Sequence, residues 1–266
     1  MVGRELATVR PERPEGTLED EVLLEVEDLW ADGDRGETAL RGVSLEVRAG
    51  EILAVAGVAG NGQRELAETI TGLRAPTRGQ ISVRGKRLAG GDPRRAIRAG
   101  IAHVPEDRLG TGVAPSLTVA SNVALKSYRG HGPFLRRRAI RRRADELIHR
   151  FDVRGATHAT PARQLSGGNL QKVVLGREFS AKPSVLVAAS PTRGLDVAAI
   201  ASVHGYLREA AEEGMAILLI SEDLDEILAL AHRIVVVYEG ELAGEVDPHG
   251  ATVNEIGLLM AGGARA

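Results

Sequence analysis

Residues 57–66, GVAGNGQREL, have the outline of a phosphate-binding loop and lack the side chains with which such a loop grips a phosphate. Gly57 and Gly62 stand at the G-x-x-x-x-G spacing, but Gln63 and Arg64 follow where the pattern has Lys and then Ser or Thr. Backbone N–H groups of such a loop can still face an anion at a helix N-terminus. The predicted nucleotide-binding set is Gly57, Gly60, Asn61, Gly62, Gln63 and Arg64.

The segments on either side of this loop have the order that a phosphate loop requires. Residues 43–57 are rich in apolar and β-branched side chains, which predicts a strand that ends at the loop. After the loop, Leu66, Ile70 and Leu73 recur at helical spacing, which predicts a helix. Strand, glycine loop and helix therefore follow one another.

Farther along the chain, strand-length apolar runs alternate with helical segments. SVLVAAS, MAILLIS and RIVVVYEG read as strands, with helices at about 197–213 and 223–231 between them. Residues 117–180 read as mostly helical. This alternation predicts an α/β core of parallel strands with crossover helices, interrupted by a helical lobe.

Composition limits the classes of protein to consider. The 266 residues are 43% apolar, enough for a substantial core, and the net charge of -2 supplies no overall field that would attract nucleic acid. The chain has no Cys, so disulfides and thiolate metal sites are excluded. Its apolar runs fall short of the roughly 20 residues that span a bilayer, and the first residues have no apolar core typical of a signal peptide.

Residues 164–197 contain L-S-G-G and, after an apolar strand, P-T-R-G-L-D. With this highly specific pair, the chain from about 22 to 262 resembles the ATP-binding subunit of an ATP-binding-cassette (ABC) transporter. The second half of the two-cassette ATPases of simple-sugar and nucleoside importers is most similar, because GNGQ, VPEDR and LSGGNLQK occur there together. The resemblance implies an α/β P-loop NTPase core of ABC type with a mostly parallel central sheet, an antiparallel β subdomain and a helical signature subdomain.

Several positions depart from the family pattern. The resemblance places the Gln-loop position at Glu106 and the D-loop aspartate at Asp196, two coupling positions. The Walker B Asp that holds Mg²⁺ and the Glu that polarises water are replaced by Ala189 and Ser190. The switch histidine is replaced by Glu222. We therefore predict that the chain's own site holds nucleotide weakly at most, and that autonomous ATP hydrolysis is absent or very weak.

The signature has kept its residues. In the family, two cassettes pack head to tail, and each ATP lies between one cassette's phosphate loop and the other's signature. The resemblance implies that this chain contacts the γ-phosphate of a partner's ATP from the start of a helix expected near Asn169. The assembly would then have one competent site, where most of the Mg²⁺ is bound, and one degenerate site. The predicted contacts in trans are Ser166, Gly167, Gly168 and Asn169.

The two ends of the chain predict its domain organisation. Cassettes of this class end in a helix and a short M-x-G-x element, which NEIGLLMAGGARA matches, and MVGRE at the start resembles the same element of a preceding cassette. We predict a seam or linker at 1–20, a nucleotide-binding domain at 21–262 with a helical subdomain at about 107–180, and a tail at 263–266.

Other interpretations of these features stay open. The basic run at 135–150 could bind nucleic acid, but no aromatic cluster accompanies it and a solvated helix face is expected. The His residues lack metal-ligand spacing, so no metal site is predicted. Arg64 could restore the missing charge of the loop, and Glu222 and Asp223 could simply cap a helix.

The favoured function is the ATP-binding subunit of an importer for a simple sugar or nucleoside. Its implied partners are a second cassette, transmembrane permease subunits and, indirectly, a periplasmic or lipoprotein substrate-binding protein. The resemblance implies a cytoplasmic subunit, peripheral on the inner face of the cell membrane. A ribosome- or repair-associated ABC protein and a pseudo-ATPase regulatory scaffold are the alternatives.

Overall fold

A computed structural model describes residues 21–127 and 135–263. The seam predicted at 1–20 and most of the predicted tail lie outside the described residues. The strands over these residues are β1 Val22–Asp32, β2 Thr38–Arg48, β3 Ile52–Ala56, β4 Arg78–Val83, β5 Lys86–Leu88, β6 Ile101–Val104, β7 Val185–Ala189, β8 Ala216–Ser221, β9 Arg233–Tyr238 and β10 Glu241–Val246. The α-helices are α1 Gln63–Ile70, α2 Pro93–Ala99, α3 Val119–Ala124, α4 Arg137–Arg150, α5 Gly167–Phe179, α6 Val197–Glu212, α7 Leu224–Leu230 and α8 Val253–Met260.

Six strands form the central sheet in the order β10-β9-β3-β8-β7-β6. Every neighbouring pair is parallel except β9 and β10, which confirms the mostly parallel sheet. All five residues of β3 are fully buried, because other elements cover both faces of the central sheet. The carboxyl ends of β3, β7 and β8 therefore meet at one edge.

A second sheet, β2-β1-β4-β5, is antiparallel throughout and confirms the predicted β subdomain. One apolar cluster joins the two sheets, since Leu24 and Val43 of the antiparallel sheet belong to the same buried group as Leu53 and Leu218 of the central sheet. The two sheets therefore fold around a shared core.

The helical segment between β6 and β7 has its own small core. Val119, Leu147, Phe151 and Val173 from α3, α4, α5 and the turn after α4 pack together. Gly176 allows α4 to lie close to α5, because a Cβ there would stand 2.7 Å from Leu147 Cγ. Helix α4 contains most of the basic run, and its arginines face mainly outward, as expected of a solvated face.

Neither a metal cluster nor a membrane-spanning helix is found within 21–127 and 135–263. No group of three or more His, Asp or Glu residues there could hold a metal ion. No helix in the same ranges has the length and apolar character needed to cross a bilayer.

Candidate functional site

A cleft of about 1170 Å³ opens at the carboxyl edge of the central sheet, where β3, β7 and β8 end. Because these ends meet, positions that are far apart in sequence line one space. The structure brings together the predicted residues Gly60, Gln63, Arg64, Glu106, Ala189, Ser190 and Glu222. The four signature residues and Asp196 are not part of this lining.

Contacts with neighbouring segments of the chain hold the phosphate-loop backbone in place. Gly62 has φ 103°, and a Cβ there would stand 2.7 Å from the Ala39 carbonyl oxygen, so the close approach and the left-handed conformation both favour glycine. Asn61 Oδ1 accepts the Glu239 N–H at 3.0 Å, and the Asn61 carbonyl accepts the Gly240 N–H at 3.1 Å. The turn between β9 and β10 therefore holds the loop in place.

The Gln63 side chain turns back into the loop. It is buried; its Oε1 accepts the Asn61 N–H at 3.1 Å, and its Nε2 donates to the Val58 carbonyl at 2.9 Å. A Cβ on Gly57 would stand 2.4 Å from the same Nε2. The carboxamide thus lies inside the loop and occupies one of its backbone donors, the Asn61 N–H.

The Arg64 charge is directed to carboxylates outside the loop. Its Nε donates to Glu68 Oε1 at 2.8 Å and its Nη1 to Asp34 Oδ2 at 3.0 Å. The hydrogen bond to Glu68 is the main cause that raises the pKa of Arg64 above its ordinary value. These contacts argue against Arg64 as a substitute for the missing lysine.

The residues at the predicted Walker B positions lie beside the strand that leads to the predicted switch position. Ala189 pairs with Ile220 in parallel register, and Ser190, with φ 41°, donates its N–H to the Ile220 carbonyl at 2.7 Å. Glu222 is exposed and lines the cleft. Asp223 caps α7 by accepting the Asp225 N–H at 2.9 Å, which confirms the capping interpretation for Asp223.

The signature lies at the start of α5, which begins at Gly167. The sequence placed the start of this helix near Asn169, two residues too late. Ser166 is the N-cap, and its Oγ accepts the Asn169 N–H at 3.4 Å. Asn169 Oδ1 in turn accepts the Arg154 N–H at 3.0 Å. A Cβ on Gly168 would stand 2.8 Å from that of Ala199 in α6, so glycine brings the starts of α5 and α6 together.

Asp196 is the N-cap of α6. Its Oδ1 accepts the Ala199 N–H at 2.9 Å, and Asp196, Ser166 and Gly167 are all exposed. The starts of α5 and α6 therefore form an open face with unsatisfied N–H groups of the first helical turns. We call Ser166, Gly167, Gly168 and Asn169 the signature face.

Comparison with known proteins decides the family. The sequence model described as "ABC transporter" matches residues 40–193. The chain belongs to the ABC transporter family. The glucose import ATP-binding protein TsgD13 of Haloferax volcanii is 46% identical over 100% of this chain and 49% of its own length. The nucleoside import ATP-binding protein NupA of Lactococcus lactis is 43% identical over 99% of this chain and 52% of its own length.

This ABC cassette spans about half the length of these relatives. Among solved structures, one described as the ATP binding subunit of an ABC transporter matches with a TM-score of 0.74 and 26% identity, over 90% of this chain and 99% of the other. The ATP-binding cassette MJ0796 matches with a TM-score of 0.75 at 22% identity, over 86% and 100%. The structural matches support the ABC-type P-loop fold predicted from the sequence.

In the cassette, the position predicted for the Gln loop is tied to the loop that precedes α6. Glu106 forms an ion pair with Arg193 of the P-T-R-G-L-D motif. The pair bridges the chain after β6 and the chain after β7, and both residues line the cleft.

Sequence reasoning missed a buried carboxylate in the cassette. Glu226 is 3% exposed, and it accepts hydrogen bonds from Thr192 Oγ1 at 2.6 Å and Ser221 Oγ at 2.7 Å. It therefore joins the P-T-R-G-L-D loop to the end of β8. The sequence feature that could have revealed its burial is its position beside Ile227 and Leu230 on the buried side of α7.

Proposed function

We propose that this cassette is the ATP-binding subunit of an importer for a simple sugar or nucleoside. The support is the similarity over nearly the whole chain to import ATP-binding proteins named for glucose, nucleosides and guanosine. In this proposal it works beside a second cassette on the cytoplasmic face of the membrane, couples to permease subunits, and serves a substrate-binding protein indirectly. Residues 21–262 form the nucleotide-binding domain, and about 107–180 its helical subdomain.

The chain's own nucleotide site is degenerate in this proposal, and the Gln63 side chain is the observation that carries it. An ATP-hydrolysing loop presents a cation and backbone donors to the phosphates. Here an uncharged carboxamide holds the Asn61 N–H and the Val58 carbonyl. The positions that would anchor Mg²⁺ and polarise water are Ala189 and Ser190, neither of which has a carboxylate.

The signature face completes the ATP site of the partner cassette. Its exposed start of α5 offers the Ser166 hydroxyl and N–H groups at the positive end of a helix dipole. Such groups suit the terminal phosphate of a nucleotide bound elsewhere. When bound there, Mg²⁺-ATP supplies the phosphoryl group whose hydrolysis drives transport, and this chain's residues orient it.

The degenerate site is tested with the isolated chain. We expect no Mg²⁺-dependent ATP turnover above background and only a slight rise in melting temperature with ATP. Gln63→Lys alone should not restore turnover, because Mg²⁺ would still lack an anchor. A variant with Gln63→Lys, Arg64→Ser, Ala189→Asp, Ser190→Glu and Glu222→His should gain Mg²⁺-dependent stabilisation by ATP. Robust turnover by the unmodified chain that Gln63→Ala abolishes would contradict the proposal.

The importer assignment is tested by purification from membranes. An affinity-tagged chain, expressed in its native cell and extracted with mild detergent, should retain permease subunits and a second cassette. Recovery with ribosomes or a DNA-repair complex, and without permease, would instead favour a non-transport role.

A further inference from the structure

Arg108 lies against the signature face. It begins a single π-helical turn, Arg108–Gly112, after β6. Its Nη1 is 3.3 Å from the point where a Cβ on Gly167 would stand, and its Nη2 is 3.9 Å from the same point on Gly194. The guanidinium therefore lies between the first residue of α5 and the loop that leads to α6, two segments that are separate in sequence.

The Arg108 guanidinium has no direct ion-pair partner among the described residues. By contrast, Arg193 on the neighbouring loop is paired with Glu106. Partial burial lowers the pKa of the Arg108 guanidinium, and the nearby negative charge of Asp107 opposes this shift.

The Asp107 carboxylate is hydrogen-bonded to backbone N–H groups. Its Oδ1 accepts the N–H groups of Leu109 at 3.1 Å and Gly110 at 2.8 Å, so this carboxylate caps the π-helical turn. The Arg108 guanidinium is partly buried, and none of its donors has a hydrogen-bond partner among the described residues. An anion that docks beside Gly167 would give these donors a direct, charged acceptor.

We propose that Arg108 is a further binding residue of the signature face, whose guanidinium contacts the γ-phosphate of ATP held by the partner cassette. This inference rests on the proposed role of the signature face in trans. Arginine suits the task because its planar donors match phosphate oxygens and its charge is permanent. Since ADP lacks the γ-phosphate, Arg108 makes association of the two cassettes selective for ATP over ADP.

The test measures association of this chain with its co-purified partner cassette by analytical ultracentrifugation, in a non-hydrolysable ATP analogue and in ADP. Arg108→Met should weaken association in the analogue by roughly ten- to a hundredfold, the range for a charge-assisted hydrogen bond, and leave association in ADP unchanged. Arg108→Lys should fall between. Arg142→Met, which removes an exposed arginine paired with Glu146 on α4, is the control and should match the unmodified chain.

The variant Ser166→Arg separates the two proposals. If it abolishes association in the analogue while Arg108→Met has no effect, Arg108 is not a phosphate contact and the signature face still is. If both variants are silent, the proposed function of the signature face fails as well. Equal weakening in ADP and analogue, or a lower melting temperature of the isolated Arg108→Met chain, would show a structural role and overturn the inference.

Discussion

At the residue scale, the feature that sets this phosphate loop apart is the Gln63 side-chain carboxamide, which lies inside the loop. The glycine spacing locates the loop in the sequence, because few other residues tolerate its turns. The sequence also shows which side chains are replaced. It cannot show that Gln63 turns back toward Asn61 and Val58, because the side-chain conformation depends on backbone groups that tertiary contacts hold in place.

We expect Gln63→Ala to destabilise the isolated chain by about 1–3 kcal/mol, because two hydrogen bonds are lost and the Asn61 N–H loses its side-chain acceptor. The matched control is Arg64→Ala at the next position, where exposed ion pairs are worth about 1 kcal/mol or less. Urea unfolding of both variants gives the comparison. A Gln63→Ala chain as stable as the control would mean that the loop does not depend on this side chain.

At the element scale, the sequence predicts which elements exist better than where they end. Leu73 was expected on the buried face of the helix after the loop. That expectation was wrong, because α1 ends at Ile70 and Leu73 is exposed. Gly72, with φ 76°, ends α1, and the Leu73 N–H returns to the Glu68 carbonyl at 2.8 Å, which is a Schellman cap. The short strand β5 was missed, since its three residues carry no apolar alternation.

Replacement of two helix glycines by alanine should change the stability of the chain in opposite directions. At Gly176 a Cβ would stand 2.7 Å from Leu147 Cγ, between α4 and α5, so we expect a loss of about 1–3 kcal/mol from overpacking. At Gly205 in α6 nothing lies within 4 Å, so we expect a gain of about 0.5–1 kcal/mol from helix propensity. Thermal unfolding of both variants measures the difference. Equal effects would contradict the close packing of α4 on α5.

The junction of β6 with α5 should make stability depend on pH. Burial lowers the pKa of His103 from 6.5 to about 4; the negative charges of Glu178 and Glu68 oppose this shift, and the positive charges of Lys126 and Arg177 add to it. The folded state favours neutral His103. Its contribution to the free energy of unfolding is therefore present above pH 6.5 and is lost as the pH falls toward 4. We expect a loss on the order of 1–2 kcal/mol, given the partial exposure of the ring.

The variant His103→Gln isolates this contribution. Urea unfolding of the unmodified chain and of His103→Gln at pH 7.5, 6 and 5 should give stability curves that converge as the pH falls. Parallel curves would show that folding does not lower the pKa of His103.

At the scale of the whole molecule, the alternation of strands and helices predicts the α/β class but not the strand order. The placement of β3 between β8 and β9 joins segments more than 150 residues apart, and periodicity contains no information about such pairing. The helical segment is likewise placed by packing, so only the structure shows that the signature face does not line the cleft.

Because the signature face does not line the cleft that contains Gln63, substitutions in these two regions should act differently on the proposed two-cassette ATPase. The phosphate loop lines the cleft with Gln63 inside it, while Ser166 at the signature face is exposed and free to meet a partner. We propose that this chain contributes to hydrolysis of the partner's ATP and does not hydrolyse ATP at its own site.

Steady-state ATP hydrolysis by the reconstituted two-cassette complex distinguishes the roles of the two sites. Ser166→Arg places a bulky cation where the γ-phosphate docks, so activity should fall by roughly two orders of magnitude or more, as for the loss of a positioned phosphate contact. Gln63→Ala should leave activity within a few-fold of the unmodified complex. A silent Ser166→Arg with a crippling Gln63→Ala would show that the two sites are assigned the wrong way round.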